Sequence, residues 1–511
     1  MPSNSSNNKR IAKNTLMLYL RMLLIMLIRL YSSRVVLDVL GVNDYGLYNV
    51  IGGMVVMFSF INNAMTDSTQ RYLTYELGKN SIDKVVQVFK TSKYIHIGIA
   101  FVFFILLEIF GVWFVENQMT IPDGRKNACL IVMHLSVITT MFKIINVPYN
   151  SLIIAHEKMN VFAYLSIIEA LLLFSILFIL DAVCCDKLIL YGVLILVVQL
   201  IIQIIYRLYC RKTFEECSKK TRVNRKLFKD MLSFAGWNIC GNMAQLFSTH
   251  GLNMLLNVYF NPAINAARGI AVTVQGAIGQ FSGSFQSSIN PQITKSYASG
   301  NYDYLNKLIF VSSKYTCFLL ILISIPVIFE TPYLLSIWLK NVPNLSVIFL
   351  RLILFTTIIE AIINPINVAV AATGYIKKYQ IFNGLITISV LPLSAVAFYC
   401  GFDAKYAFII QLCLCCISFF VRFLVMKQFI NIKINEYVKN VIVKCVIVVL
   451  LSLIIPLIII SNIEPSFERL ILNFTLSLIW TFIVIYVSGM NKQERQYIKV
   501  FVYNKFLIKK S

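Results

Sequence analysis

Basic side chains stand inside apolar stretches of this chain, where isolated charge is least tolerated. The first such stretch, residues 14–36, carries Arg21 and Arg29 along its length and Arg34 near its end, and Lys143 lies in the middle of a later one. On a helix rising about 1.5 Å per residue, Arg21 and Arg29 sit about 12 Å apart in height and about 80° apart around the axis, so both can face one cavity. A charge at the centre of a bilayer costs about 2.5–3.5 kcal/mol, which is offset when the group faces water, a partner or an anionic ligand. A guanidinium also offers paired N–H donors to a phosphate or carboxylate, and an ammonium offers a point charge. Snorkelling to an interface is the competing explanation; it suits Arg34 easily and Arg21 with strain. Arg21, Arg29 and Lys143, with Arg268 near the start of the eighth stretch, are therefore the candidate anion-binding residues, Arg29 the foremost.

The second apolar stretch ends in a polar run that includes Asn62, Asn63, Thr66 and Asp67, and the eighth carries Gln280, Ser284 and Gln286. Lipid-facing helices do not look like this, so these residues are expected to line a cavity. Gly269, Gly276, Gly279 and Gly283 lie among them, and close helix packing competes as an explanation. Asp67, Glu169 and Glu360, each within or at the edge of an apolar stretch, are candidates for neutralising an arginine or for binding a coupling cation. Of the four histidines, only His134 and His250 fall well inside apolar stretches.

These residues sit in a chain of 511 residues, 58% hydrophobic and 14% charged, with a mean hydropathy of +0.75. Apolar runs of about 20 residues recur throughout, the length that a helix needs to cross a bilayer. We place spans at 14–36, 45–66, 94–115, 128–152, 159–181, 188–209, 231–257, 266–289, 309–329, 345–371, 380–400, 405–426, 441–461 and 468–488. The expected fold is an all-α polytopic membrane protein of about fourteen transmembrane helices. The N-terminus lacks the pattern of a removable signal peptide, so the first helix is expected to stay attached.

The net charge of +23 does not point to nucleic acid, because the bases fall in short connectors. Counted to the nearest connector, 34 of the 46 Lys and Arg residues lie on the side of both termini, 9 lie opposite, and Arg21, Arg29 and Lys143 remain within spans. Both termini are therefore expected to be cytoplasmic. The basic connector after the sixth span divides the chain into an N-lobe (1–210), a linker (211–230), a C-lobe (231–430) and a C-terminal segment (431–511). Most of the twelve cysteines read as small hydrophobes inside apolar runs, and only Cys184 and Cys185 are expected at the outer surface.

The lobes repeat one another. At an offset of 221, residues 80–94 fall on 301–315, matching Asn80/Asn301, Phe89/Phe310, Ser92/Ser313, Lys93/Lys314 and Tyr94/Tyr315. At an offset of 217, residues 147–155 fall on 364–372, matching Pro148/Pro365, Asn150/Asn367 and Ala155/Ala372. A repeat of six helices keeps its orientation in the membrane, so the expected plan is two parallel six-helix lobes around a central cavity, plus two extra C-terminal helices. Catalytic patterns are missing: there is no Asp-x-Asp, His-Glu-x-x-His or Walker loop. The chain is not expected to be an enzyme or to hold a metal or an organic cofactor.

Residues 10–53 followed by 64–80, with the turn Leu40-Gly41-Val42-Asn43-Asp44-Tyr45-Gly46-Leu47-Tyr48 and the exit Thr69-Gln70-Arg71-Tyr72-Leu73, resemble polysaccharide flippases of the multidrug/oligosaccharidyl-lipid/polysaccharide exporter superfamily. The resemblance extends to about residue 430. It implies an O-antigen-type flippase of the bacterial inner membrane that turns undecaprenyl-pyrophosphate-linked oligosaccharide units from the cytoplasmic to the periplasmic leaflet by alternating access. It also implies H⁺ or Na⁺ coupling, contact with membrane lipids, and a place beside a polysaccharide polymerase and a chain-length regulator in lipopolysaccharide assembly. The basic residues would meet the pyrophosphate and the Asn, Gln and Ser residues the glycan. A cation-coupled drug antiporter of the same superfamily is the near alternative, a membrane glycan polymerase or glycosyltransferase is one from another class, and a scaffold of the assembly complex is a third. On the flippase reading, Arg29→Glu is expected to abolish surface polysaccharide while the protein remains inserted; normal export by that variant would remove Arg29 from the site.

Overall fold

The computed structural model describes the chain except for residues 1–3, 57–58, 118, 120, 184–185, 220, 222, 261, 340–341, 429–432 and 497–511; the side chains of some further residues, Arg29 and Arg34 among them, also lie outside the described set, as do Cys184 and Cys185. The described residues are overwhelmingly helical, and the fourteen expected spans fall on helix wherever they are described. The helices are α1 (Asn4–Val56), α2 (Ser59–Gly78), α3 (Ile82–Asn117), α4 (Lys126–Ala155), α5 (Met159–Ala182) and α6 (Lys187–Thr213). They continue with α7 (Arg225–Tyr259), α8 (Pro262–Ala298), α9 (Tyr302–Trp338), α10 (Ser346–Thr373), α11 (Lys377–Ile388), α12 (Val390–Tyr399) and α13 (Lys405–Lys427). The last are α14 (Ile434–Tyr437), α15 (Val443–Ser452), α16 (Ile454–Asn462) and α17 (Phe467–Val484).

Eleven segments among the described residues are long and apolar enough to cross a membrane. Neither α7 nor α8 is among them, since both interrupt their apolar content with amides, hydroxyls and glycines. The second expected span runs across residues 57–58, outside the described set.

The connector expected between the first two spans is condensed to one residue. Gly41 (φ 76°, ψ 166°) is the only non-helical position inside α1, and it joins two helical rods without a loop. That φ is open to glycine at no steric cost. A bracket of charge stands beside this joint: Arg125, at the start of α4, bonds both Asp44 in the second rod and Asp186, the latter at 2.6 Å. Asp186 also caps α6 by accepting from the Leu188 and Ile189 amides.

Contacts gather the chain into two compact units. The first comprises Met1–Met243, Ser287–Asn301 and Ala371–Gln380. Its core packs Phe89 on Tyr149 edge to face at 5.4 Å, with Leu152, Ile153, Ile202 and Met231 fully buried around them. The α4–α5 turn belongs to this unit, and there Glu157 takes a left-handed conformation (φ 59°) with its carboxylate buried. Its counterpart at the 217 offset, Gly374 after α10, is also left-handed (φ 84°). The sequence repeat thus extends to the turn that closes each fourth helix.

The second unit comprises Ala244–Gln286, Tyr302–Val370 and Ile381–Ser511. Phe349 lies on Phe408 at 4.2 Å, joining α10 to α13. The helices beyond the repeat are fastened to α9 near both of its ends. At one, buried Glu330 accepts from Arg469 Nη2 at 2.9 Å and from Asn473 Nδ2 at 2.8 Å; at the other, Lys314 Nζ meets both oxygens of Glu494, at 2.6 and 2.7 Å. Glu330→Ala would strand a guanidinium that is 7% exposed, and breaking such a pair costs about 3–5 kcal/mol. The variant is expected to melt well below the parent in detergent, with Glu330→Gln in between; equal melting temperatures would show that the pair does not hold α17.

Candidate functional site

One helix carries a continuous accessible polar face. Along α8, Ala266, Gly269, Thr273, Gly276, Gln280, Gly283 and Ser287 are all exposed and recur at alternating steps of three and four, which is one side of a helix. None has a side chain larger than glutamine and none is charged. A Cβ built at Gly269, Gly276, Gly279 or Gly283 would meet nothing within 4 Å. Close packing against a neighbouring helix therefore does not account for these glycines; they keep the face open.

The remaining residues singled out on α8 have other surroundings. Gln286 is 5% exposed and points to α10, where its Nε2 donates to the Ala361 carbonyl at 3.2 Å and its Oε1 accepts from Asn364. Ser284 is half-buried between the two aspects. Gln275 reaches α10 as well, donating to Thr357 at 2.9 Å. Arg268, 7% exposed, donates to the Asn253 side chain of α7.

In α2, Asn63 and Asp67 are exposed one turn apart, while Asn62 and Thr66 are half-buried and the Thr66 hydroxyl bonds back to the Asn62 carbonyl at 2.8 Å. Ser68 and Thr69 turn inward, to the Met231 carbonyl at 3.1 Å and to Ser92 at 2.9 Å. The polar run is thus divided between an accessible side and a side that fixes α2 to α7 and α3.

Among the intramembrane bases, Arg21 lies 4.4 Å over the ring of Phe162, so α1 presents it to α5. Tyr206 of α6 is within electrostatic reach of both Arg21 and Glu169, which places these two candidates in one neighbourhood of the first unit. Lys143 is exposed on α4. The backbone of Arg29 continues α1; its side chain lies outside the described residues. Glu360 of α10 is exposed and within reach of Arg422.

Arg422 did not stand out in the sequence. It lies in the expected span 405–426, close enough to its end to be counted with the connector, yet its guanidinium turns inward to Asn383, by Nε at 2.8 Å, and to Asn367, by Nη1 at 3.2 Å. Its position two residues after a Phe419-Phe420 pair on an apolar stretch was the available signal. Glu157 and the Glu330–Arg469 pair were missed for a different reason: they belong to turns and span ends, where charge is ordinary.

No family model matches the chain, and neither does any curated protein. Solved structures do. The outward-facing structure of a multidrug resistance MATE family transporter of the MOP superfamily superposes with a TM-score of 0.68 at 12% identity, covering 83% of this chain and 95% of that one. A MATE structure in complex with MaL6 gives 0.68 at 10% identity over 85% and 97%. A MOP superfamily transporter from Pyrococcus furiosus, described by the reverse polarity of its binding pocket, gives 0.67 at 10% over 84% and 96%. The chain therefore has the MATE fold of MOP superfamily transporters, a multi-pass membrane fold. Since a Cβ at Gly276 would meet nothing within 4 Å, Gly276→Ala is expected to raise helix stability by up to about 1 kcal/mol, read as a higher melting temperature. Gly276→Trp should leave the melting temperature within a degree or two of the parent; a large fall in stability would show a hidden packing role.

Proposed function

We propose that the chain is a secondary transporter working by alternating access, whose cargo is an undecaprenyl-pyrophosphate-linked oligosaccharide turned outward across a bacterial inner membrane for surface polysaccharide assembly. The observation that carries this reading is the α8 face: uncharged, accessible, and lined by Thr273, Gln280 and Ser287 with glycines between them. Hydroxyls and an amide on an open surface suit a glycan, which presents many hydroxyls and no charge. Asn63 adds an amide on α2. The intramembrane bases supply the complementary part, since Arg21, Arg29, Lys143 and Arg268 offer donors to an anionic pyrophosphate. On this reading Asp67, Glu169 and Glu360 are where a coupling H⁺ or Na⁺ would act, and a polymerase and a chain-length regulator would receive the cargo outside.

A second reading is cation-coupled export of drugs or other small molecules. The likeness to a multidrug MATE transporter supports it more directly than it supports the first, and accessible Asp67 and Glu360 are the carboxylates that a cationic drug would need. The two readings part in one experiment. Deletion of the gene should trap complete lipid-linked repeat units on the cytoplasmic leaflet and leave drug susceptibility unchanged, and Lys143→Glu should reproduce that accumulation. Increased susceptibility to cationic drugs with no trapped intermediate would replace the first reading by the second.

A further inference from the structure

Within the first unit, α2 and α8 end against turns of the opposite repeat. Arg71, in the last two turns of α2, donates from Nε to the Ala371 carbonyl at 3.1 Å and from Nη2 to Ala372 at 2.8 Å. These carbonyls belong to the final turn of α10, where Ala371 also accepts from the Gly374 amide at 3.1 Å and the negative end of the helix dipole favours a cation. The guanidinium also lies 4.5 Å from the Tyr72 ring, 5.0 Å from Tyr75 and 5.3 Å from Phe234. Gly374, next along the turn, is left-handed, and a Cβ there would stand 2.8 Å from Arg71 Nη2. The turn fits the arginine only because that side chain is missing.

The other arm follows by repeat equivalence. The offset 221 carries Arg71 to Gln292, and the offset 217 carries Gly374 back to Glu157. Gln292 Nε2 donates to Glu157 Oε2 at 2.5 Å, and Lys295, one turn of α8 further on, donates to Oε1 at 2.6 Å. From α1, Arg10 Nε approaches Oε2 at 3.0 Å and Asn14 donates to the Glu157 carbonyl at 3.2 Å. Thr15 and Ser288 share a hydrogen bond at 2.7 Å beside them. The two helix ends also cross: a Cβ at Gly78 would stand 2.8 Å from the Lys295 backbone, and the Tyr75 and Tyr297 rings lie 6.4 Å apart.

We propose that these two arms form a reciprocal latch that closes the face of the transporter which the Lys/Arg bias assigns to the cytoplasm, and that both arms release when that face opens. The inference rests on the alternating-access part of the proposed function and is independent of the cargo. It has a physical basis in the unequal chemistry of the arms. One is a guanidinium on neutral carbonyls, the other an ammonium and an amide on a carboxylate, and water entering an opened face would solvate every one of these groups. Neither arm strands a dry charge on release, so the latch can cycle.

The test places a cysteine at Ser288, which is fully buried, and measures its labelling by a membrane-impermeant maleimide in inside-out vesicles, with the parent protein labelled in parallel as background. Arg71→Gln and Glu157→Gln should each raise the labelling rate roughly tenfold, a modest shift of a two-state equilibrium. Gly78→Leu, which wedges the crossing against the Lys295 backbone while leaving every side chain of the two arms in place, should do the same. As a second measurement, Tyr75→Cys with Tyr297→Cys should cross-link on oxidation in the parent latch, and Arg71→Gln should lower that yield several-fold. Labelling and cross-linking that stay at parent levels in the variants overturn the latch. Because both readouts are conformational, a latch that opens as expected in a protein that fails to move lipid-linked oligosaccharide would sink the cargo and leave the latch standing.

Discussion

A carboxylate buried in a left-handed turn is the constraint around which the first unit is ordered. Glu157 bears two penalties: a backbone conformation that costs a non-glycine residue about 1–2 kcal/mol, and a charge removed from water. Both persist only because Arg10, Asn14, Gln292 and Lys295 converge on it from α1 and α8. Burial pulls the Lys295 ammonium below its ordinary pKa, and Glu157 opposes that shift. The start of α1, the α4–α5 turn and the end of α8 are thereby set together.

Elsewhere in the molecule most intramembrane polarity acts as a fastener. Gln286 with Asn364 and Ala361, Arg422 with Asn383 and Asn367, and Glu330 with Arg469 and Asn473 each join helices that apolar packing alone would leave free to slide. In a lipid setting such groups cannot fall back on water, so their partners are specified closely. Against this background the α8 face differs in kind: its polar groups are accessible and its glycines leave space unfilled.

Much of the architecture was legible in the residues. The expected apolar stretches correspond to helix wherever they are described, and the weak self-match at offset 217 is continued by paired left-handed turns at Glu157 and Gly374. Hydropathy reports length, so spans were readable; it is silent on azimuth, so Gln280 and Gln286 looked alike although one is exposed and the other bonded to α10. The joint at Gly41 read as a loop because Gly, Asn and Asp cluster there, and only the backbone reveals that one positive φ suffices. Arg422 escaped notice because distance to a span's end says nothing about which way a guanidinium turns.

The glycines of α8 bear on how such a chain can change over generations. At a packed glycine such as Gly78, any added carbon collides with backbone, and the position is frozen by geometry. At Gly276, Gly279 and Gly283 the same carbon enters empty space. New side chains can therefore accumulate along this wall one at a time while the scaffold behind it keeps its packing. A lineage carrying this arrangement can vary that surface without passing through misfolded intermediates.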